Sequence, residues 1–459
     1  METHTFDAVV CGAGISGAAA AIAAGRTGAR VLLADRFGSP GGMLTAAGVG
    51  PMMTFHAGET QAVRGVTGEL IDRMAAKGAS PGHILDTTTY TYTVTPFDAE
   101  AMKVELEEML AEAGVALLYH AMLDSAEADG GAIRKLVFTV KGGHIAVKAK
   151  VFIDATGDAD LAHMAGVPCT VGMDGNGISQ PLTTNLKLVN VDIAAVKAYI
   201  RANPANFPAM IDAPKVIDRA PRLSLNGFRK ELKAARESGE LDFDRETVLF
   251  FETNNPNEVI VNMSRMQDFD PTDAWQLTQA EIEGRKQARQ LVRFLNKRVR
   301  GFENAVLVQT SPGQVGVRSS RQINGLYTLT HIDLIKGTRF ADTIAHGGYP
   351  IDVHEPKGGH SAAFRALTEE EKQMGNGHIY DIPLRSLLCA QYDNLIVVGR
   401  CVSTEFLAQS AIRVSPIAGA IGHAGGAAAA VAIKQGKAPT DVDADDVRAL
   451  LTEQNAFLL

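Results

Sequence analysis

The sequence predicts an α/β protein, and three features near its start carry that expectation. Residues 7–11 (DAVVC) form a short apolar run containing β-branched side chains, the pattern of a strand buried on both faces. A glycine turn follows, GAGISG with Gly12, Gly14 and Gly17, and it opens a small-residue stretch, AAAAIAAGRTGA, that reads as a helix. A second apolar run, residues 30–34 (RVLLA), ends at Asp35. Strand, glycine turn, helix, strand and acid within about thirty residues is the order of a Rossmann-like dinucleotide-binding unit.

Each part has a physical task. Gly12 permits the tight turn, Gly14 lets the backbone approach a pyrophosphate, and Gly17 lets the helix pack closely on the sheet. Ile15 and Ser16 open the helix, where unpaired N–H groups and a partial positive charge favour phosphate. Asp35 lies 18 residues after Gly17 and can accept hydrogen bonds from an adenosine ribose.

Composition narrows the remaining classes. The chain has 459 residues, 46% hydrophobic and 21% charged, which suits folded domains and excludes disordered or fibrous structure. Length alone suggests roughly three folding units. A net charge of −8 argues against a nucleic-acid partner. The four cysteines are scattered with no C-x-x-C pair, which excludes a disulfide scaffold, a cysteine-rich metal site and an iron–sulfur cluster. No metal-ligand spacing such as H-E-x-x-H occurs. The N-terminus lacks a basic region followed by an apolar one, so a cytoplasmic protein without a signal peptide is expected. Residues 417–433 (IAGAIGHAGGAAAAVAI) fall short of a bilayer span and read as a closely packed buried helix.

Further motifs lie downstream. A glycine pair, Gly41 and Gly42, precedes Met43 and Thr45 in PGGMLT. A strand-like run, residues 150–154, leads into Ala155-Thr156-Gly157, and another, residues 394–398, leads into Gly399-Arg400. Pro416 starts the small-residue helix at the position where a proline costs no hydrogen bond. Together these resemble the glutathione-reductase-like flavoprotein superfamily. More narrowly they resemble the FAD-dependent oxidoreductases, on PGGMLTAAGVG (40–50), FIDATGDADLA (152–162), VGVRSSRQINGLYTLTHIDL (315–334), ADTIAHGGYPIDVH (341–354), and IPLRSLL with NLIVVGRCVS (382–388 and 394–403).

The resemblance implies a Rossmann-like FAD-binding domain in two pieces, 1–165 and 385–440, with an inserted α+β substrate domain, 166–384, and a C-terminal tail, 441–459. It implies non-covalent FAD held by Gly12, Gly14, Ile15, Ser16, Gly17, Asp35, Arg36, Gly41, Gly42, Met43, Thr45, Ala155, Thr156, Gly157, Gly399, Arg400, Pro416 and Gly419. The glycines of the late helix would allow close approach, and its dipole would favour negative charge at the flavin. Asp35 and His423 depart from the family, which carries Glu at the first position and often Gln or Glu at the second. His56 is the candidate for a covalent flavin link.

The catalytic candidates are His354, Asp352, Arg413 and Arg318. Asp352 and His354 alternate in YPIDVH and would share one side of a strand, where a carboxylate orienting an imidazole makes a general base. His331 and His346 are nearby rivals. Arg318 and Arg321, three apart, suit an anion or brace a domain boundary. Arg413 immediately precedes the late helix and either meets substrate and flavin or forms a structural salt bridge.

No second glycine-turn unit follows, so no built-in nicotinamide domain is expected. The expected function is hydride transfer between a small hydroxyl- or carboxylate-bearing molecule and flavin N5, with the electron acceptor open. A carbon–carbon desaturase or enoate reductase with an arginine as proton donor is the alternative. An RNA-modifying or scaffold flavoprotein is a third reading, which the acidic balance disfavours.

Overall fold

Five parallel strands run in the order Leu395–Val397, Val151–Asp154, Ala8–Cys11, Val31–Ala34 and Ala116–Leu118. The computed structural model describes residues 2–210, 213–354, 368, 374 and 377–459. The first four of these strands are buried along their whole length, as strands covered on both faces must be. Their residues alternate between two cores. Ala8, Val10, Val31, Leu33, Val151 and Ile153 face helices Ile15–Gly25, Ala99–Glu112 and Ser415–Gln435. Val9, Cys11, Leu32, Ala34, Phe152 and Val397 face the other way, onto Leu136, Phe138 and Val147. Those three belong to a second sheet, Met122–Asp129, Ala132–Val140 and Gly143–Lys148, joined by Glu2–Thr5. The result is a helical layer, a parallel sheet and a mixed sheet, with the glycine turn at the carboxyl end of the strand Ala8–Cys11.

A separate five-stranded antiparallel sheet orders Ser224–Gly227, Val248–Glu252, Val259–Val261, Leu186–Val189 and Val306–Gln309. Helices Ile193–Ala202, Arg229–Glu237 and Ala274–Arg298 share its core of Leu186, Phe228, Phe250, Leu291 and Phe302. The charged face of the long helix, with Arg285, Lys286, Arg289 and Arg293, is exposed. This is the inserted α+β part.

Two segments pack differently from their expected assignment. The strand pair Thr343–Gly347 and Tyr380–Pro383 buries Ile344, Tyr380 and Ile382 in the same core as the late helix, although both strands lie within 166–384. The helix Ala444–Glu453 buries Val447 and Leu451 there too, so the C-terminal segment docks on the nucleotide-binding side instead of trailing from it.

The late helix is longer than the sequence suggests. Ser415–Gln435 has 21 residues, enough length and apolar character to cross a bilayer, but 89% of its apolar window is buried inside the protein. Its glycines allow the close approach expected of them, and the structure names partners for that approach. A Cβ on Gly422 would lie 2.0 Å from Ser16 O, and one on Gly426 would lie 2.2 Å from Ala20 O. Gly425 faces Val398 and Gly419 faces Thr67. They bring the late helix onto the backbone of the glycine-turn helix, four residues apart on both, because only hydrogen side chains let two helix backbones approach so closely.

Candidate active site

The glycine turn is built as its residues require. Gly12 has φ +102°, and a Cβ there would sit 2.5 Å from Ala155 O, which carbon cannot do. On Gly17 a Cβ would lie 1.8 Å from Gly12 O. Gly14 differs, since its nearest neighbour in the Cβ direction is Gly42 Cα at 3.9 Å, so its outer side is open. The helix begins at Ile15 with the bond from Ala18 N to Gly14 O at 2.9 Å. That leaves the amides of Ile15, Ser16 and Gly17 without intrahelical partners.

The glycine pair belongs to the same cradle. Gly41 N donates to Ala13 O at 2.8 Å, and Gly42 has φ +56° with its missing Cβ directed at Gly14 Cα, 2.7 Å away. Met43 and Thr45 follow in the turn that this pair opens, and Thr45 Oγ1 donates to Pro40 O at 2.6 Å. Asp35 is 9% exposed and accepts from Ala13 N and from Phe37 N at 2.7 Å. Burial raises its pKa despite those two bonds. A carboxylate has about four acceptor positions, so two remain for ribose hydroxyls. Arg36 bonds Gln314 and lies over the Phe37 ring.

Two groups beneath this surface were not predicted. Asp154 is fully buried, accepts from Thr156 N, Thr156 Oγ1 and Ala162 N, and is pushed up to about 6 by burial. It pins the Ala155-Thr156-Gly157 turn. Asp158 pairs with Arg400 at 2.7 Å and accepts from Ser320. Burial opposes its charge, but Arg400 and Ser320 outweigh burial and hold the carboxyl below its usual range. Arg400 thus spans two predicted segments, with Gly157 (φ +80°) leaving room for its guanidinium. Gly399 sits against Ser16 Oγ, which a Cβ would approach to 2.8 Å.

The four catalytic candidates converge beside the amino end of the late helix. Residues 351–354 are coil and not the expected strand, yet Asp352 and His354 are neighbours, with Nε2 3.4 Å from Oδ2. Arg413 donates to Asp352 Oδ2 at 3.2 Å and to its carbonyl at 3.1 Å, and Tyr349 donates its hydroxyl to Oδ2 at 2.9 Å. Burial works against the Asp352 charge, but His354, Arg413 and Tyr349 outweigh it and hold the carboxylate ionised. Burial, then Arg318, lowers His354 to about 4, so its ring is neutral at pH 7. Asp352 favours the proton on Nε2, which leaves Nδ1 as a proton acceptor.

Arg318 donates to Pro181 O and to Thr183 Oγ1. Burial, then the charges of Arg413 and Arg245, lowers it to about 9. A glutamine pair frames this group: His354 N donates to Gln180 Oε1 at 3.1 Å, Gln180 to Gln409 at 3.3 Å, and Gln409 to Arg318 O at 2.9 Å. Tyr90 closes one side, its ring edge-on to Tyr349 at 5.9 Å. Tyr349 and Gln409 stand on the segments of Asp352 and Arg413, whereas Tyr90 and Gln180 carry no local sequence signal because each reaches the site from a separate segment.

The rival residues are elsewhere. His331 pairs with Glu405, and His346 is buried between Asp381 at 2.9 Å and Leu459 N at 3.0 Å. Arg321 pairs with Asp160 at 2.9 Å and braces the Gly157 turn. His423 bonds Gln454 at 2.8 Å, and His56 faces Thr93 at 3.0 Å and the His83 ring.

A glycine turn that opens a helix with unpartnered amides, beside a buried carboxylate, is the geometry of a dinucleotide-binding protein. Residues 7–451 match the model of the FAD dependent oxidoreductase family, and the chain belongs to that family. It is an FAD-dependent enzyme, and the cradle fits the cofactor. No curated protein matches it. Among solved structures, a geranylgeranyl bacteriochlorophyll reductase-like protein from Thermoplasma acidophilum is similar at TM-score 0.48 and 11% identity, over 99% of this chain and 83% of that one. The flavin-dependent brominase Bmp2 is similar at 0.47 and 12%, over 98% and 84%. The p-nitrophenol 4-monooxygenase PnpA from Pseudomonas putida is similar at 0.45 and 11%, over 99% and 85%.

Proposed function

We propose that this enzyme transfers a hydride between a carbon of a small hydroxyl- or carboxylate-bearing molecule and flavin N5, with FAD held without a covalent bond. The flavin unit is of the glutathione-reductase-like kind in this reading, and the protein works in the cytoplasm without a nucleic-acid partner. One observation carries the reaction: His354, Asp352, Arg413 and Arg318 meet in one pocket beside the amino end of helix Ser415–Gln435. FAD, when bound, supplies the hydride-accepting or hydride-donating atom.

The chain's own residues do the rest. The amides of Ile15 to Gly17 hold the pyrophosphate and Asp35 holds the ribose. Arg318 and Arg413 bind the substrate's carboxylate and fix the reacting carbon. His354 Nδ1 takes the hydroxyl proton as the hydride leaves, and Asp352 keeps the ring in the required tautomer. Tyr90 and Tyr349 shield the pocket from water.

A second reading draws on the lowered pKa of Arg318: a buried guanidinium brought to about 9 is a better proton donor, as carbon–carbon double-bond reduction requires. The pH profile of flavin reduction or reoxidation separates the two. With His354 as base, the rate falls as pH drops through about 4. With Arg318 as acid, the rate falls as pH rises through about 9. A profile flat across both regions contradicts both.

A further inference from the structure

The turn that follows the glycine pair is gripped from the inserted part of the chain. Strands Leu186–Val189 and Val306–Gln309 pair antiparallel with Lys187 opposite Gln309, which carries Asn185 and Ser311 to facing positions just past the strand ends. Both side chains reach one atom. Asn185 Nδ2 donates to Ala47 O at 3.2 Å, Ser311 Oγ donates to the same oxygen at 3.0 Å, and Asn185 N donates to Ser311 Oγ at 3.2 Å. The neighbouring carbonyl is taken in the same way, with Gly313 N and Gln314 N donating to Ala46 O at 2.6 and 3.1 Å. A carbonyl oxygen has two lone pairs, so these four donors from the inserted part fill both oxygens.

The gripped turn is continuous with the phosphate cradle. Ala46 N donates to Gly42 O at 2.6 Å, and Gly42 rests against Gly14 in the glycine turn. Ala47 is fully buried and Asn185 is 4% exposed, so water does not replace a donor lost there. A buried carbonyl deprived of a partner costs more than the bond it made, and a turn relieves that cost by shifting. The stretch that carries Asn185 also receives Arg318, at Pro181 O and Thr183 Oγ1. Residues 181–185 therefore set the pocket arginine and the cradle turn relative to each other.

We propose that Asn185 is a positioning residue for FAD, acting through Ala47 to hold the 42–47 turn in the shape that receives the cofactor. This rests on the reading of the cradle around Gly14 and Gly42 as the FAD site. Asn185 takes no part in hydride or proton transfer. Its amide makes cofactor affinity depend on a side chain of the inserted part, far in sequence from the glycine turn.

The test dilutes the FAD-loaded enzyme and reads the FAD dissociation constant from flavin fluorescence as cofactor is released, with thermal unfolding at saturating FAD alongside. Asn185→Ala should raise the constant about tenfold. Asn185→Asp should raise it further, because a carboxylate oxygen then faces Ala47 O. Ser264→Ala is the control for a purely structural loss. Ser264 Oγ donates to Thr184 O at 2.8 Å and accepts from Thr184 N at 2.7 Å, so its removal loosens the same stretch without touching Ala47. It should melt lower, as Asn185→Ala does, and leave the constant unchanged. A wild-type constant in Asn185→Ala, or an equal rise in Ser264→Ala, overturns the positioning role. Gly42→Ala tests the cradle separately, since its Cβ would lie 2.7 Å from Gly14 Cα. Weak FAD binding in Gly42→Ala beside wild-type binding in Asn185→Ala overturns the positioning role alone, and wild-type binding in both overturns the cradle reading as well. If Asn185→Ala fails to fold, Ser311→Ala, which removes the other donor to Ala47 O, must raise the constant several-fold, and no rise overturns the proposal.

Discussion

Alanine at Gly422 tests the contact that joins the two halves of the flavin-binding unit. Its Cβ would lie 2.0 Å from Ser16 O and 2.5 Å from Ser16 Cα, both backbone atoms of the glycine-turn helix. Ordinary contact needs about 3.5 Å, so the helices must separate locally by about 1.5 Å. Ser16 has little room to yield, because Gly399 stands against its hydroxyl on another side. Overpacking of this kind costs about 1–3 kcal/mol, and the better helix propensity of alanine returns about 1 kcal/mol. The net expectation is a loss of up to about 2 kcal/mol together with a displaced phosphate cradle. Gly425→Ala is the control. Its Cβ meets side-chain methyls only, Val398 Cγ1 at 2.3 Å and Ile396 Cγ2 at 3.4 Å, so it strains the core without pushing on the glycine-turn helix. Thermal unfolding and the FAD-to-protein ratio after purification read both effects. Both variants should melt lower, but only Gly422→Ala should lose flavin, because only its Cβ meets the backbone of the glycine-turn helix. A Gly422→Ala protein as stable and as fully flavinated as wild type would refute the helix-contact reasoning.

Other predictions follow from the pocket and its supports. Asp352→Asn removes the charge that pairs with Arg413 and the anion that sustains His354 basicity, so substrate-dependent flavin reduction should fall by about 10²-fold or more, with its acid limb moved to lower pH. Imidazole titration of the holoenzyme by NMR, assigned with His354→Asn, should show His354 neutral until pH falls to about 4, well below the ordinary 6.5. Because the folded value is the lower one, this ring destabilises the fold as pH falls from 6.5 to about 4 and has no effect on stability above that window. Arg400→Met unties Asp158 from the Gly157 turn, and its FAD dissociation constant should rise at least tenfold with kcat on saturated enzyme changed less. His331→Asn and His346→Asn should leave the pH profile unchanged, since neither imidazole reaches the pocket.

The nucleotide half of the fold was legible because its signals are local. Gly12, Gly14, Gly17 and Asp35 sit in one strand–turn–helix–strand run, and each residue's task follows from turn geometry and helix amides. The late helix was harder to read. Its glycines announce close approach, but sequence cannot name the partner, and Gly422 and Gly426 turned out to face Ser16 and Ala20. Asp352 and His354 became neighbours on a coil, although strand alternation was the stated reason. Arg318 and Arg321 diverge, one into the pocket and one to Asp160, because the chain there is extended and no helix or turn pairs them. Tyr90 and Gln180 stayed invisible, since only the tertiary fold brings their segments to the pocket. The buried Asp154 and Asp158 stood in quoted motifs, and a charged residue at the end of a buried strand was the available signal.

Anaerobic mixing of the oxidised, FAD-loaded enzyme with small hydroxy acids tests the central claim most directly. The account predicts that at least one bleaches the flavin absorption, that the matching acid without a hydroxyl binds without bleaching, and that His354→Asn binds the hydroxy acid but bleaches at least 10²-fold more slowly. Bleaching at the wild-type rate by His354→Asn, or reduction by a nicotinamide cofactor and by no hydroxy acid, would contradict it.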